Sequence, residues 1–135
     1  MEEKALWRRR VLAPFRSFHS AGLCGGGSGK PTTFIATFYC FEPCQQNSLH
    51  RHPVADEVVF CWEGEGIIVV GNKHAPFKAG ETVLVPADTP HGYLNTSQDR
   101  RMIITVVQSP LPVEHVPVDP ADLTTALNAE GVAQP

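Results

Sequence analysis

The chain has 135 residues, of which 42% are hydrophobic and 19% are charged, and its formal net charge is −3. That length fits one domain with one core, and the composition excludes an intrinsically disordered chain. A charge this small argues against nucleic acid or a membrane surface as the partner. The longest apolar runs, such as 67–70 and 102–107, are strand-sized and too short for a membrane-spanning helix.

The first 30 residues are expected to form an amino-terminal arm that ends in a glycine-rich loop at 25–29. Arginines at 8–10 precede a short apolar stretch, an order that signal peptides also show, but Pro14 interrupts the stretch. We therefore expect no export and a cytoplasmic protein. No two cysteines form a CxxC pair, so we expect free thiols at Cys24, Cys40, Cys44 and Cys61.

Beyond the arm, short apolar runs are separated by prolines and glycines, which is typical of an all-β chain with many turns. The connection 63–65 contains a glycine and predicts a hairpin. The predicted strands are 32–41, 57–62, 66–70, 82–85, 91–95 and 102–108.

The β domain is expected to occupy residues 31–112, and residues 113–135 form a tail. The tail carries the one helix signal that we find in the sequence, a short segment at 121–129. Asp119 is its predicted N-cap and Pro120 its first residue, and Gly131 follows its end.

Three histidines and one glutamate have the spacing of metal ligands. His50 and His52 are two residues apart, so on a strand both imidazoles face the same side. Glu57 follows across a turn at Pro53, where an antiparallel hairpin would bring its carboxylate back beside the two rings. His91 begins a later strand. Three neutral imidazoles and one carboxylate suit a divalent transition metal and leave two octahedral positions open.

These residues resemble the two motifs of the cupin superfamily. The first, Gly-x5-His-x-His-x3,4-Glu-x6-Gly, is similar to the run from Cys44 to Gly64, and the second, Gly-x5-Pro-x-Gly-x2-His-x3-Asn, to the run from Gly80 to Asn95. Cys44 and Asp88 each stand where a motif has glycine, at positions expected in turns. The resemblance implies a jelly-roll barrel of two antiparallel sheets that holds a metal inside one open end, and a homodimer paired through its sheets.

Strict alternation places further side chains on the inner face with the proposed ligands. Val59 and Cys61 share the parity of Glu57 and are predicted to line a substrate pocket, although Cys61 also fits a small buried hydrophobe. Tyr93 shares the parity of His91 and is the candidate catalytic residue, with packing as the alternative. Asn95 is placed in the pocket as well, although by the same resemblance it could instead fix a loop.

Other polar residues are expected to face away from the site. Asp56 has the opposite parity to Glu57 and should point into the turn or solvent. Arg51 should form a solvated charge or an ion pair at the barrel edge. His74 is expected in an exposed turn at 71–74, and His19 and His115 are expected at the surface.

The predicted pocket is mostly apolar, which leaves the metal as the chemical agent. We therefore expect a metal-dependent dioxygenase acting on a small organic molecule, with iron as the first candidate metal and manganese, nickel, cobalt, copper or zinc as alternatives. A non-redox isomerase, cyclase or lyase remains open, as does a cupin that binds a small ligand without turning it over.

Overall fold

The computed structural model describes residues 9–10, 14–19, 33–119 and 123, with 9–10 and 14–19 described through their backbone. Its strands form two sheets that face each other. The strands are β1 (Arg9–Arg10), β2 (Pro14–His19), β3 (Ile35–Phe41), β4 (Gln45–Gln46), β5 (His50–Arg51), β6 (Asp56–Glu63), β7 (Glu65–Val70), β8 (Lys73–Lys78), β9 (Thr82–Val85), β10 (His91–Asn95), β11 (Met102–Ser109) and β12 (Val116–Pro117).

The five-stranded sheet has the order β2-β3-β11-β6-β9. The seven-stranded sheet has the path β1-β4-β10-β5-β12, and β7 joins it by pairing with both β10 and β8. The pairs are antiparallel, apart from a short parallel pair between β1 and β4. The all-β jelly roll of two sheets predicted from the sequence is therefore confirmed.

Alternating side chains build the core between the sheets. On β6, Glu57, Val59 and Cys61 are buried while Asp56 and Val58 are exposed, so the period of two sets the inner face. The core cluster adds large side chains from both sheets, each contributing ~1.5–3 kcal/mol by burial. Its buried members are Phe41, Val59, Cys61, Ile68, Phe77, Val85, Tyr93, Met102, Ile104 and Val106.

A second apolar cluster covers the outer face of the seven-stranded sheet. Leu94 of β10 packs there with Leu49 and with Leu123 from the carboxy-terminal tail. Because both faces of β10 are covered, all five of its residues are buried. The strand that carries His91 is thus held from both sides.

Turn positions explain the two departures from the cupin motifs. Cys44 and Asp88 have φ values of 63° and 62°, and within the described residues they are the two non-glycine residues with positive φ. The glycines that the motifs do keep, Gly64 and Gly80, also have positive φ, at 82° and 92°. Each replaced glycine therefore sits where left-handed backbone is required, a conformation that aspartate tolerates better than most residues.

Several parts of the chain differ from the sequence prediction, including the unpredicted two-residue strand β4. The predicted arm contributes β1 and β2, and β2 pairs along β3. The exposed turn expected at 71–74 is limited to Gly71 and Asn72, because His74 already belongs to β8. This edge strand was missed because it contains a proline, Pro76, and buries a single side chain, Phe77.

The tail also differs, because β12 at 116–117 was not predicted. Leu123 is helical, but the rest of the helix predicted at 121–129 lies outside the described residues and stays a prediction. Across the described part of the chain, no helix is long and apolar enough to cross a membrane. Cys40, Cys44 and Cys61 are reduced and not in disulfides, as expected, and Cys24 lies outside the described residues.

Candidate metal centre

The structure brings the four predicted ligands together. One potential ligand atom from each of His50, His52, Glu57 and His91 lies within 4.8 Å of the others. None of the four residues exposes more than 5% of its surface. The predicted ligand set is therefore a compact buried cluster.

The cluster joins the two sheets, which corrects the hairpin expected between His52 and Glu57. His50 lies on β5 in the seven-stranded sheet, where it is the register partner of His91 on β10. Glu57 lies on β6 in the five-stranded sheet, between Val85 and Gln108. The chain crosses from one sheet to the other between 52 and 56, so the carboxylate meets the imidazoles across the barrel instead of along one hairpin.

Backbone carbonyl oxygens orient all three imidazoles. The Nδ1 atoms of His50, His52 and His91 lie 2.6, 2.7 and 2.8 Å from the carbonyl oxygens of Ser48, Glu114 and Thr89 respectively. A carbonyl oxygen only accepts, so each Nδ1 must carry the hydrogen. In a neutral ring the other nitrogen, Nε2, then presents a lone pair. This arrangement is typical of histidines that ligate a metal.

Glu57 is held at both of its carboxylate oxygens. Its Oε2 lies 3.2 Å from His52 Nε2 and 3.3 Å from His91 Nε2. The Tyr93 hydroxyl donates a hydrogen bond to Oε1. Gln108 Nε2 lies 2.9 Å from Oε2 and 2.9 Å from His52 Nε2. The carboxylate therefore cannot rotate without losing buried contacts.

The electrostatics of the cluster favour a neutral His50 and an ionised Glu57. Burial, followed by the charge of His91, lowers the pKa of His50 to about 3, so this ring is neutral at pH 7. Burial raises the pKa of Glu57, but the imidazole nitrogens of His52 and His91 beside its carboxylate outweigh burial and hold the pKa below its usual range. Burial likewise lowers the pKa of His52, and its hydrogen bonds to Glu57 and Glu114 reverse the direction, so that this pKa is raised.

A divalent cation fits this donor set. His91 Nε2 is buried and has no hydrogen-bond partner among the described residues, although Glu57 Oε2 lies 3.3 Å away. In the neutral ring both atoms are acceptors, so their proximity is repulsive unless a positive charge lies between the donors. Neutral imidazole nitrogens with one carboxylate are the ligands that borderline transition metals prefer.

The Tyr93 phenol lies behind the carboxylate. The side chain is buried, and its hydroxyl is used in the hydrogen bond to Glu57. Burial, and then the charge of Glu57, raises the pKa of Tyr93 well above its usual value, so the phenol stays protonated. The catalytic role of Tyr93 stays a prediction. Because the hydroxyl is bonded to Glu57, Tyr93 would affect the reaction through that carboxylate.

Asn95, one of the predicted pocket residues, uses its side-chain amide in hydrogen bonds to backbone groups. Asn95 Nδ2 donates to the backbone oxygens of Phe41, Glu42 and Arg100, 2.7–3.1 Å away, and Oδ1 accepts from Ser97 N. The amide thus fixes a loop, which was the alternative for Asn95, and has no hydrogen left for a substrate.

The Cys61 thiol, also predicted to line the pocket, has a backbone partner. It lies 3.5 Å from the carbonyl oxygen of Glu63, and burial raises its pKa. It is a neutral core residue outside the cluster. Val59 lies between Glu57 and Cys61 on the inner face and is fully buried.

Sequence reasoning missed three residues near the centre. Gln108 has the inward parity of Ile104 and Val106 on β11, so alternation could have found it. Tyr39 lies on the inner side of β3, and its pKa is raised by burial and then by the charge of Glu57. His115, expected at the surface, stacks its ring on that of His50, with centroids 3.9 Å apart and planes at 17°. Its position depends on the pairing of β12 with β5, for which the sequence carries no local signal.

The polar residues expected outside the site are found there. Arg51 forms an ion pair with Asp88 at the barrel edge. Asp56 Oδ1 accepts a hydrogen bond of 2.8 Å from Ala87 N in the neighbouring turn. Asp88 N donates to His52 O over 2.7 Å, so this turn supports the backbone of a proposed ligand.

Comparison with known proteins gives the same fold and family. The family model for the cupin domain matches residues 37–107. "Uncharacterized protein MJ1618" from Methanocaldococcus jannaschii is 35% identical over 43 residues, which cover 32% of this chain and 34% of that protein. The match thus spans about a third of the length of the curated relative.

Solved structures extend the similarity across both sheets. TT1209 from Thermus thermophilus is 30% identical, with a TM-score of 0.58 over 62% of this chain and 78% of that one. A conserved protein with a double-stranded beta-helix domain from Klebsiella pneumoniae is 18% identical, with a TM-score of 0.62 over 76% and 96%. The DMSP lyase DddQ from Ruegeria pomeroyi is 23% identical, with a TM-score of 0.59 over 79% and 53%. With the family model matching more than half of its residues, this chain belongs to the cupin family.

Proposed function

We propose that the protein holds one divalent transition-metal ion through His50, His52, Glu57 and His91 and uses it to act on a small organic molecule. The observation that supports this most directly is the fixed hydrogen on Nδ1 of all three rings. With the hydrogen fixed on Nδ1, each ring turns its Nε2 atom toward a carboxylate in a buried space, where a metal can take the place of a proton on Nε2. Protein groups alone leave one of these nitrogens unpartnered.

We further propose dioxygenase-type oxidation as the reaction, with iron as the metal. Iron(II) suits three imidazoles and one carboxylate, and when bound it supplies the electrons and the open coordination positions that dioxygen chemistry needs. Val85 and Val106 are buried apolar residues on strands adjoining Glu57, and they limit the access of bulk water. The chain itself keeps the carboxylate ionised and holds the imidazoles in fixed orientations.

Non-redox chemistry is the second candidate, and Tyr39 and Gln108 favour it. The Tyr39 phenol, whose pKa is raised by burial and by the charge of Glu57, is protonated at neutral pH and can donate a hydrogen bond to a substrate oxygen. The Gln108 amide reaches the cluster from the same sheet, with its two hydrogens directed at Glu57 and His52. A metal bound to His52 Nε2 would release one of these hydrogens to stabilise negative charge on a substrate. These groups would suit an isomerase, cyclase or lyase that uses the metal as a Lewis acid.

Oxygen uptake separates the candidates. The protein would be purified without oxygen, loaded with iron(II) and mixed with small phenols and carbonyl compounds in an oxygen-electrode chamber. We expect oxygen consumption that matches product formation in amount. Turnover at the same rate without oxygen would replace the oxygenase proposal with the non-redox one. Ligand binding without any product would identify a binding module and contradict both enzymatic proposals.

A further inference from the structure

The chain returns to the metal centre after the last core strand. β12 pairs antiparallel with β5, with Val116 opposite Arg51 and Pro117 opposite His50. Val118 N then donates to Leu49 O over 3.2 Å. Residues 114–118, which we call the strap, therefore run alongside the segment that carries the first two proposed ligands.

The strap contacts both of those ligands. The Glu114 carbonyl oxygen accepts the Nδ1 hydrogen of His52 over 2.7 Å. The next residue, His115, lays its ring nearly parallel on that of His50, 3.9 Å away between centroids. The same ring meets His52 edge-on, with centroids 4.8 Å apart and planes at 78°. One face of His115 is therefore packed against the ligands, although the residue as a whole remains exposed.

His52 differs from the other two histidines in the origin of its acceptor. The carbonyl groups that orient His50 and His91 belong to Ser48 and Thr89, each two residues earlier in the same segment. The acceptor for His52 is 62 residues away in sequence. Local backbone thus supplies the acceptor for two of the rings, whereas the acceptor for His52 requires the strap to be in place.

We infer that the strap is a clamp that fixes the orientation of His50 and His52, and that His115 is its positioning residue. This inference rests on the proposed metal site. The His115 ring restricts His50 by stacking, so a ring of similar shape should replace it without needing a nitrogen. Loss of the ring should leave His50 held by its hydrogen bond to Ser48 alone and should let the strap move away from His52.

The test uses the full-length protein loaded with cobalt(II) and measures the rate at which a chelator in excess removes the metal. We expect His115→Ala to release cobalt at least fivefold faster than the parent and His115→Phe to release it within about twofold of the parent rate. His74→Ala, which changes an exposed histidine on β8, is the matched control and should leave the rate unchanged. The copper(II) electron paramagnetic resonance spectrum should change in His115→Ala and remain like the parent in His115→Phe.

The outcomes of this test distinguish failure of the metal proposal from failure of the clamp. If the parent protein takes up no cobalt, both the metal proposal and the clamp are wrong. If it takes up cobalt and His115→Ala behaves like the parent in rate and spectrum, the clamp alone is wrong. If Phe fails as badly as Ala while thermal denaturation shows both variants folded, the ring nitrogen is needed and the stacking role is contradicted.

Discussion

At the scale of single residues, Glu57 supplies the negative charge in a cluster of three imidazole rings. We expect Glu57→Gln to weaken metal affinity at least tenfold, because the amide keeps the volume but loses the charge that offsets a divalent ion. Isothermal titration with cobalt(II) would measure the change. Glu63→Gln is the control, since Glu63 pairs with Arg101 at the surface and should not affect the affinity. Unchanged affinity in Glu57→Gln would show that Glu57 is not a ligand.

Substitution of Tyr93 tests whether its hydrogen bond to the Glu57 carboxylate matters for the reaction. Tyr93→Phe removes the hydroxyl that donates to Glu57 Oε1 and leaves a buried acceptor unpaired. Once a substrate is known, we expect turnover to fall at least tenfold at saturating metal, equivalent to about 1.4 kcal/mol of barrier. Metal content should stay near that of the parent. If turnover and metal affinity both stay unchanged, Tyr93 is a packing residue.

At the scale of strands and turns, two motif glycines differ in what surrounds them. Both have positive φ, but a Cβ at Gly64 would overlap the carbonyl oxygen of Arg101, whereas a Cβ at Gly80 would meet nothing within 4 Å. We expect Gly80→Ala to cost about 1–2 kcal/mol of unfolding free energy from backbone strain alone. Gly64→Ala should cost more, about 3 kcal/mol or above, because the clash adds to the strain. Urea denaturation would compare them, and equal losses would contradict this reading of the turn.

The strands were predictable where alternation was regular and both ends carried turn residues. β6, β10 and β11 satisfy this, and β10 has the predicted bounds. β8 and β12 could not be found, because one is a mostly exposed edge strand and the other is a two-residue strand defined by its distant partner. Residues of the site that depend on pairing between distant segments were equally hard to predict from the sequence. The motifs brought out the four clustered residues, whereas His115 depends on a pairing between distant segments.

The local sequence pattern also could not predict that the chain crosses from one sheet to the other between His52 and Glu57. The spacing between His52 and Glu57 allows either a hairpin or a change of sheet, and both bring the carboxylate near the rings. Pairing of β6 with β9 and β11, and of β5 with β10 and β12, selects the second. The four predicted residues therefore do cluster, while the hairpin geometry expected for them was wrong.

At the scale of the whole molecule, the proposed metal would tie the two sheets together. A ligand that binds the folded state and not the unfolded state adds about 2.7 kcal/mol when its free concentration is about 100 times Kd. We therefore expect metal loading to raise Tm by several degrees over chelator-treated protein. Protons compete with metal at His52, whose pKa is raised, so the increase should shrink as pH falls from about 7 to about 5. Differential scanning calorimetry would measure both effects, and an increase that does not depend on pH would contradict binding through imidazoles.

The outer face of the five-stranded sheet bears on the predicted homodimer. Trp62 and Leu84 expose 57% and 60% of their surface there, which is unusual for large apolar side chains. Trp62 also contacts Phe60, with ring centroids 4.7 Å apart. The homodimer stays a prediction, as does a cytoplasmic location.

Metal content per chain tests the central claim most directly. The parent protein and the His50→Ala/His52→Ala variant would be purified in parallel, loaded with iron(II) without oxygen, desalted and analysed by inductively coupled plasma mass spectrometry. We predict close to one metal ion per chain for the parent. The double variant should retain less than about a tenth of that, because two of the four donors are gone. Near-stoichiometric metal in a folded double variant, or none in the parent, would contradict the account.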